Sequence, residues 1–432
     1  MMNSKNYTLL RSVLCFTLGL IYLSNWLFES PLLEALIFPL LIIVILLSFP
    51  VTTGSSRVIG TLSFVVSILL LLEAQAPLEI WEKGLKTNLF LVVMFIMVPL
   101  LGIPIQEGGY TGALQGLFDK KVNTQKKYYL LVSLLTSLVG VLVNLAVVPL
   151  VNQICRNSKF STDQKLLGSA IIRGFSACAA WAPTAAGIGY ILQIAGSDWV
   201  EFFPMAIISA ALMGFAGYII TICQGRDPKE GASITELNDI PKYSLAKVVE
   251  LGIFASVLLG SIVLISYFTG ITAIVVVSMM ALIYPLVWML IIKKVPLFFR
   301  EVKEGYFHHR LPSVKNELFL FLGAGLLATS INYSHYGDYV PLILNSIVGE
   351  SPLLLTLFVI ISVIFFAGLG IHPIVTVTII GGTVNIASYG LSELYFAVLL
   401  AASWSLGASI SPSSGTVITV SGMLQESPLK VG

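Results

Sequence analysis

Charge is what this chain has least of: only 11% of its 432 residues are Asp, Glu, Lys or Arg, against 56% that are hydrophobic. Its mean hydropathy is +0.93. A soluble domain of this size could not hide so much apolar surface, so a large water-exposed domain is excluded. Its four cysteines (Cys15, Cys155, Cys178, Cys223) are scattered, with neither metal-ligand spacing nor a disulfide framework. There is no Gly-rich Walker loop, no paired-carboxylate or nucleophile motif, and no basic stripe interleaved with aromatics. These absences speak against a primary pump, a metal centre and nucleic-acid binding, and for a protein that is not an enzyme and carries no cofactor.

What is present is apolar length. Runs long enough to cross a hydrocarbon core of about 30 Å recur over 12–28, 32–50, 58–74, 87–104, 128–152, 202–222, 248–267, 271–292, 317–332 and 353–378. The first follows Lys5 and Arg11 but has no small-residue cleavage site, so it reads as a retained helix. Two more apolar stretches, 166–196 and 391–424, are broken in the middle by Pro with small and hydroxyl residues. Their arms are short for a crossing at about 1.5 Å per residue, and each is expected to be a re-entrant hairpin.

Part of the text is written twice. Asn88-Leu89-Phe90-Leu91 matches Glu317-Leu318-Phe319-Leu320 at an offset of 229, which also carries Gly108 and Tyr110 onto Gly337 and Tyr339, Ser176 onto Ser405, and Pro183 onto Pro412. One segment has slipped: Val148-Pro149 fits His372-Pro373 at 224. A weak internal repeat in a membrane chain marks secondary transporters built of two related halves. With the N-terminus cytoplasmic, the inside segments 1–11, 51–57, 105–127, 223–247 and 293–315 hold 17 Lys/Arg and the outside segments 5, a strong positive-inside bias. The two halves then run in opposite directions. The expected fold is an all-α polytopic membrane protein with two inverted-topology repeats, each with a re-entrant hairpin, after leading N-terminal helices. Its parts are leading helices (1–57), a first repeat (58–222) with hairpin 166–196, a cytoplasmic loop with linking helices (223–292), an amphipathic linker (293–315), and a second repeat (316–432) with hairpin 391–424. By the repeat, a last helix should begin near 431, and the chain is expected to lack it.

The candidate site lies at the two breaks, Ser176-Ala-Cys-Ala-Ala-Trp-Ala-Pro183-Thr184 and Ser405-Leu-Gly-Ala-Ser409-Ile-Ser411-Pro412-Ser413-Ser414-Gly415-Thr416. Unwound backbone in a membrane is tolerated where it is buried or lines a wet cavity. The N–H groups of a broken helix suit an anion, while its carbonyls and nearby hydroxyls suit a hard cation. Solute contacts are expected from Ser176, Thr184, Ser411, Ser413, Ser414 and Thr416. Ion ligands are expected from Ser176, Pro183, Ser405, Ser409 and Gly415. Asn144 and His372 would line the cavity, and His372 could carry a coupled proton or satisfy carbonyls freed by Pro373. Arg173, the one basic residue deep in an apolar stretch, would neutralise the solute or pair with Glu393, Asp338 or Asp163.

This organisation resembles the ion transporter superfamily, which holds divalent anion/sodium symporters, arsenite permease-like proteins and related carboxylate carriers, over about residues 58–424. Symporters of that group carry Ser-Asn-Thr at each hairpin tip; here the tips read Ala182-Pro183-Thr184 and Ser411-Pro412-Ser413. The resemblance implies a homodimer with elevator-type alternating access. The expected function is a secondary active transporter of a small, carboxylate-type anion driven by Na⁺ or H⁺, in the cytoplasmic membrane, with solute and membrane lipids as partners. A cation/proton antiporter or an exporter of a toxic anion or drug is the alternative. A membrane-embedded enzyme on a lipid-linked substrate, using His335 and Asp338, is the other class.

Overall fold

A computed structural model describes residues 4–155, 158, 160–161, 163–224 and 244–431. Among them the secondary structure is entirely helical, and nine helices are long and apolar enough to cross a membrane. Outward-facing Leu, Ile, Val and Phe cover helices such as Pro31–Ser48, Gly54–Glu73, Trp199–Cys223 and Leu245–Thr269. That is an integral membrane protein, with lipid as the solvent for those faces.

The helix ends sort into two groups. Thr53 N–H donates to Asn316 Oδ1 (3.0 Å), Arg11 Nη2 to the Pro312 carbonyl (3.0 Å) and Lys294 Nζ to the Glu107 carbonyl (2.6 Å). Tyr110 Oη donates to Glu250 (2.6 Å) and accepts from Trp288 Nε1 (2.9 Å). These contacts define one end of the bundle, rich in Lys and Arg. Burial and the Glu250 carboxylate push the Tyr110 phenol well above its ordinary pKa, so it donates at any working pH. Its repeat mate Tyr339 is exposed, so the recurring Gly-Tyr pair opens a helix in each half but buries its tyrosine only in the first. At the opposite end, Lys86 bridges Glu34 and Glu82, and Tyr336 donates to Glu73.

The interrupted segments do not fold as expected. After the break at Asn144, held at φ 52° and ψ −135°, helix Val147–Cys155 turns back along Gln125–Val143. Gln125 Nε2 reaches Asp163 (3.4 Å) and the Tyr128 ring packs on Phe160 (5.9 Å), so the chain has returned to where Gln125 began. The next helix, Gln164–Ala179, then runs parallel to Gln125–Val143: Ser133 Oγ bonds the Ala170 carbonyl, and Gly140 lies against Cys178. In the second half, Pro352–Gly368 and Glu393–Ile410 start together (Thr356 Oγ1 to Tyr395 Oη, 2.9 Å), and Pro373–Thr383 returns toward that end, placing Gly381 against Ile194 and Leu400.

The folded-back segments are therefore 125–155 and 352–383, not 166–196 and 391–424. By length and composition Gln125–Cys155 (31 residues) and Glu393–Leu424 (32 residues) are both candidate spans, and it is the contacts that make 166–196 and 391–424 interrupted helices passing through the bundle. They lie antiparallel on one another: Gly168 against Leu424, Ser176 against Ser405, Gly187 against Trp404, Gly196 against Glu393. Proline and serine disrupt a helix in either geometry; what reverses the chain is the positive φ at Asn144 and at Gly370 (φ +89°).

Helices begin at Tyr110 and Tyr339, Gln164 and Glu393, Ala186 and Gly415, and end at Ala195 and Leu424, every pair 229 apart. Within 293–315, residues 295–313 are helical; the segment buries Phe298, Tyr306 and Leu311 and sets Tyr306 and Phe307 on Phe16. It is thus docked on the bundle rather than free to lie on a surface.

Labelling checks this topology. In a Cys223→Ser background, Lys165→Cys should react with a membrane-impermeant maleimide from the side that labels Lys126→Cys, and Asp198→Cys from the other. Lys165 and Asp198 labelled from one side would restore the hairpin at 166–196.

Candidate functional site

Four breaks meet where the two interrupted helices cross. In the first half they are 144–146 and 180–185, in the second 369–372 and 411–414. Pro183 and Pro412 lack the N–H that would continue a helix, so both crossing helices open there. Thr184 Oγ1 donates to the Val141 carbonyl (2.5 Å), and Asn144 Nδ2 donates to the Thr184 carbonyl (3.2 Å). This reciprocal pair ties the open stretch of 164–195 to the folded-back tip. The second half repeats the device with other atoms. Ser411 Oγ donates to the Ile371 carbonyl (3.3 Å), and Pro412 packs on Gly370. A contact between Gly415 and Leu145 joins the halves.

Helices Val147–Cys155, Ala186–Ala195, Pro373–Thr383 and Gly415–Leu424 all start at these breaks. Their unsatisfied first-turn N–H groups give the centre a positive bias. Ser414 Oγ caps one by accepting from Val417 N (3.3 Å), and His372 Nδ1 caps another by accepting from Ile374 N (3.3 Å). Ala185 offers no side-chain cap for the helix it precedes.

At the crossing, Ser176 Oγ donates to the Ser405 carbonyl (2.9 Å) and Ser405 Oγ to the Ser176 carbonyl (2.5 Å), with the two Oγ atoms 2.9 Å apart. Residue i meets j as j meets i, which is what a two-fold relation between the helices requires. Beside the pair lies a space of about 10 Å³ bounded by Phe175, Ser176, Ser405, Ser409 and Thr416. That is about one water. On the other side the equivalent volume is filled: Trp404 replaces Phe175, Gly187 replaces Thr416, and the indole lies directly on Gly187. The centre is asymmetric, with hydroxyls on one flank and an indole on the other.

The structure brings together Ser176, Ser405, Ser409 and Thr416 around that space, Asn144 with Thr184, and Ser411 with Ser413 (2.9 Å). Pro183 and Gly415 shape the breaks. Two expectations change. Arg173 does not reach the centre; its Nη1 bonds the Gly217 carbonyl and Thr221 Oγ1 (3.2 Å each) on helix Trp199–Cys223. It makes no ion pair with Glu393 or Asp163, because a helical Arg points back toward its helix N-terminus; the Asp338 side chain lies outside the described residues. His372 lends one ring nitrogen to a helix cap instead of the small space. Trp404 and Gly187 were missed in the sequence, although the 229 offset pairs them with Phe175 and Thr416. His335, with Glu73, Tyr336 and Tyr339, lines a separate cavity of about 640 Å³ at the opposite end.

No known family matches this sequence, and no curated protein does.

Proposed function

We propose that the protein is a secondary active transporter of a small, carboxylate-type anion, built of two inverted-topology repeats and driven by a Na⁺ or H⁺ gradient. The observation that carries this reading is the crossing of two antiparallel interrupted helices at the reciprocal Ser176–Ser405 contact. Broken helices beside folded-back helices at mid-bundle are how such carriers assemble a solute site from backbone. The positive bias of four helix starts favours an anion, and the hydroxyls of Ser409, Ser411, Ser413 and Thr416 offer it hydrogen bonds. The carbonyls of Ser176 and Ser405 offer ligands to Na⁺ once the pair separates. Among the described residues no Asp or Glu borders the central space, which weighs against a cation/proton antiporter needing a titrating carboxylate there.

The Lys/Arg-rich end, which carries Lys126, Lys127, Lys165, Lys293 and Lys294, is the cytoplasmic one on this reading. A homodimer working by an elevator-type movement follows from the resemblance drawn from the sequence.

Thermal stability of the detergent-purified protein in Na⁺ or choline, with mono-, di- and tricarboxylates, tests this. A solute at about 100 times its Kd should add about 2.7 kcal/mol, and more in Na⁺ if Na⁺ is the coupling ion. A panel without any shift, joined to proteoliposomes that take up none of these solutes, would sink the reading.

A further inference from the structure

Arg173 lacks the partner its chemistry calls for. Its guanidinium bonds one carbonyl and one hydroxyl, and among the described residues no carboxylate lies within ion-pair distance. Beside it, Tyr129 is buried and its hydroxyl has no hydrogen-bond partner. The two side chains converge on one point: a Cβ at Gly217 would stand 2.8 Å from Tyr129 Oη and 3.1 Å from Arg173 Cδ. Thr221, the third polar group, lies within a turn of the end of Trp199–Cys223, so the guanidinium has been drawn to the Lys-rich end of the bundle.

The surroundings are apolar and face outward. Leu130 and Leu134 face outward on one wall, Ile219 and Ile220 on the other. Lys126 and Lys165 open the two helices at that end. A guanidinium with free donors, a buried unpaired hydroxyl and flanking apolar walls match a phosphate with acyl chains attached. We propose that Arg173, positioned by Thr221, whose hydroxyl donates to the Gly217 carbonyl (2.9 Å), and flanked by Tyr129, binds the phosphate of an anionic glycerophospholipid where helices Gln125–Val143, Gln164–Ala179 and Trp199–Cys223 meet. The site lies apart from the central breaks and does not depend on what the protein transports.

The test is the melting temperature of the full chain in vesicles of phosphatidylcholine alone or of equimolar phosphatidylcholine and phosphatidylglycerol. A third arm uses phosphatidylcholine vesicles with inorganic phosphate. Phosphatidylglycerol should raise the melting temperature, saturably, and inorganic phosphate should not. Arg173→Gln should weaken the apparent phosphatidylglycerol affinity about tenfold to a hundredfold, as loss of a charged hydrogen bond does. Arg173→Lys should keep part of it. Tyr129→Phe with Thr221→Val, which preserves packing volume, should weaken it too and serves if Arg173→Gln fails to fold. Equal response to inorganic phosphate would overturn the lipid assignment in favour of a free-oxyanion site. A response to phosphatidylglycerol unchanged in Arg173→Gln, or in the double variant, would overturn the site.

Discussion

Replacing both Ser176 and Ser405 with alanine should lower kcat/KM for solute uptake by about a hundredfold or more, while the protein still folds. Each serine donates to the other's carbonyl, so each substitution removes one buried hydrogen bond worth about 0.5–1.5 kcal/mol. Alanine lacks only the hydroxyl, and the acceptors are backbone carbonyls that keep their helical partners, Ser176 O still accepting from Ala180 N, so no buried group is orphaned. Stability should fall by about 1–3 kcal/mol in all. Function should suffer far more. On the proposed reading the two helices part at this contact to admit solute or ion, and the hydroxyls and carbonyls released there become ligands. Alanine removes the hydroxyls and leaves only the two carbonyls when the helices separate. Ser176→Ala and Ser405→Ala alone should each give an intermediate loss. Uptake by the double variant at the rate of the unsubstituted protein, measured in proteoliposomes, would show that the crossing is scaffold only.

The contrast between what the sequence disclosed and what it hid turns on periodicity. The offset of 229 is a statement about residue order, and the helix starts at Gln164 and Glu393, and at Ala186 and Gly415, keep it. Apolar length disclosed the membrane spans for the same reason: about 20 apolar residues have few other uses. Chain direction past a break is different, because Pro, Ser and Gly weaken a helix whether the chain then continues or turns back. Asn144 was visible as the lone amide of its stretch, but its positive φ is a tertiary outcome, fixed by the pairing of its side chain with Thr184 across the break. Reading 128–152 as a crossing puts the hairpin at 166–196, so the two assignments stand or fall together. Lys165 then moved from the sparsely charged end to the Lys-rich end, which strengthens the charge bias used to orient the chain. Arg173 stands out for its cost in a membrane; the direction its side chain takes along the helix decides which neighbour meets it.

Substituting Gly174 with leucine should destroy the fold, since at this position the obstacle is backbone. A Cβ there would lie 2.5 Å from the Ser133 carbonyl oxygen and 2.8 Å from Ser133 Cα. Helices Gln125–Val143 and Gln164–Ala179 would have to move apart along a parallel contact that also carries the Ser133–Ala170 hydrogen bond and the packing of Gly140 on Cys178. Gly187 is superficially tighter, with a Cβ 2.3 Å from Trp404, but the indole is a side chain and can swing aside. Overpacking costs about 1–3 kcal/mol where side chains can adjust, and more where neither backbone can. Gly174→Leu should therefore give no cooperative melt and an aggregated elution profile, and Gly174→Ala a fall of about 1–3 kcal/mol. Gly214 is the control with the opposite sign. Mid-helix in Trp199–Cys223, a Cβ there meets nothing within 4 Å, so Gly214→Ala should stabilise by about 0.5–1 kcal/mol through helix propensity alone. A Gly174→Leu protein that melts like the unsubstituted one would mean that these two helices are not in contact, and the parallel pairing that places the 125–155 segment as folded back would fall with it.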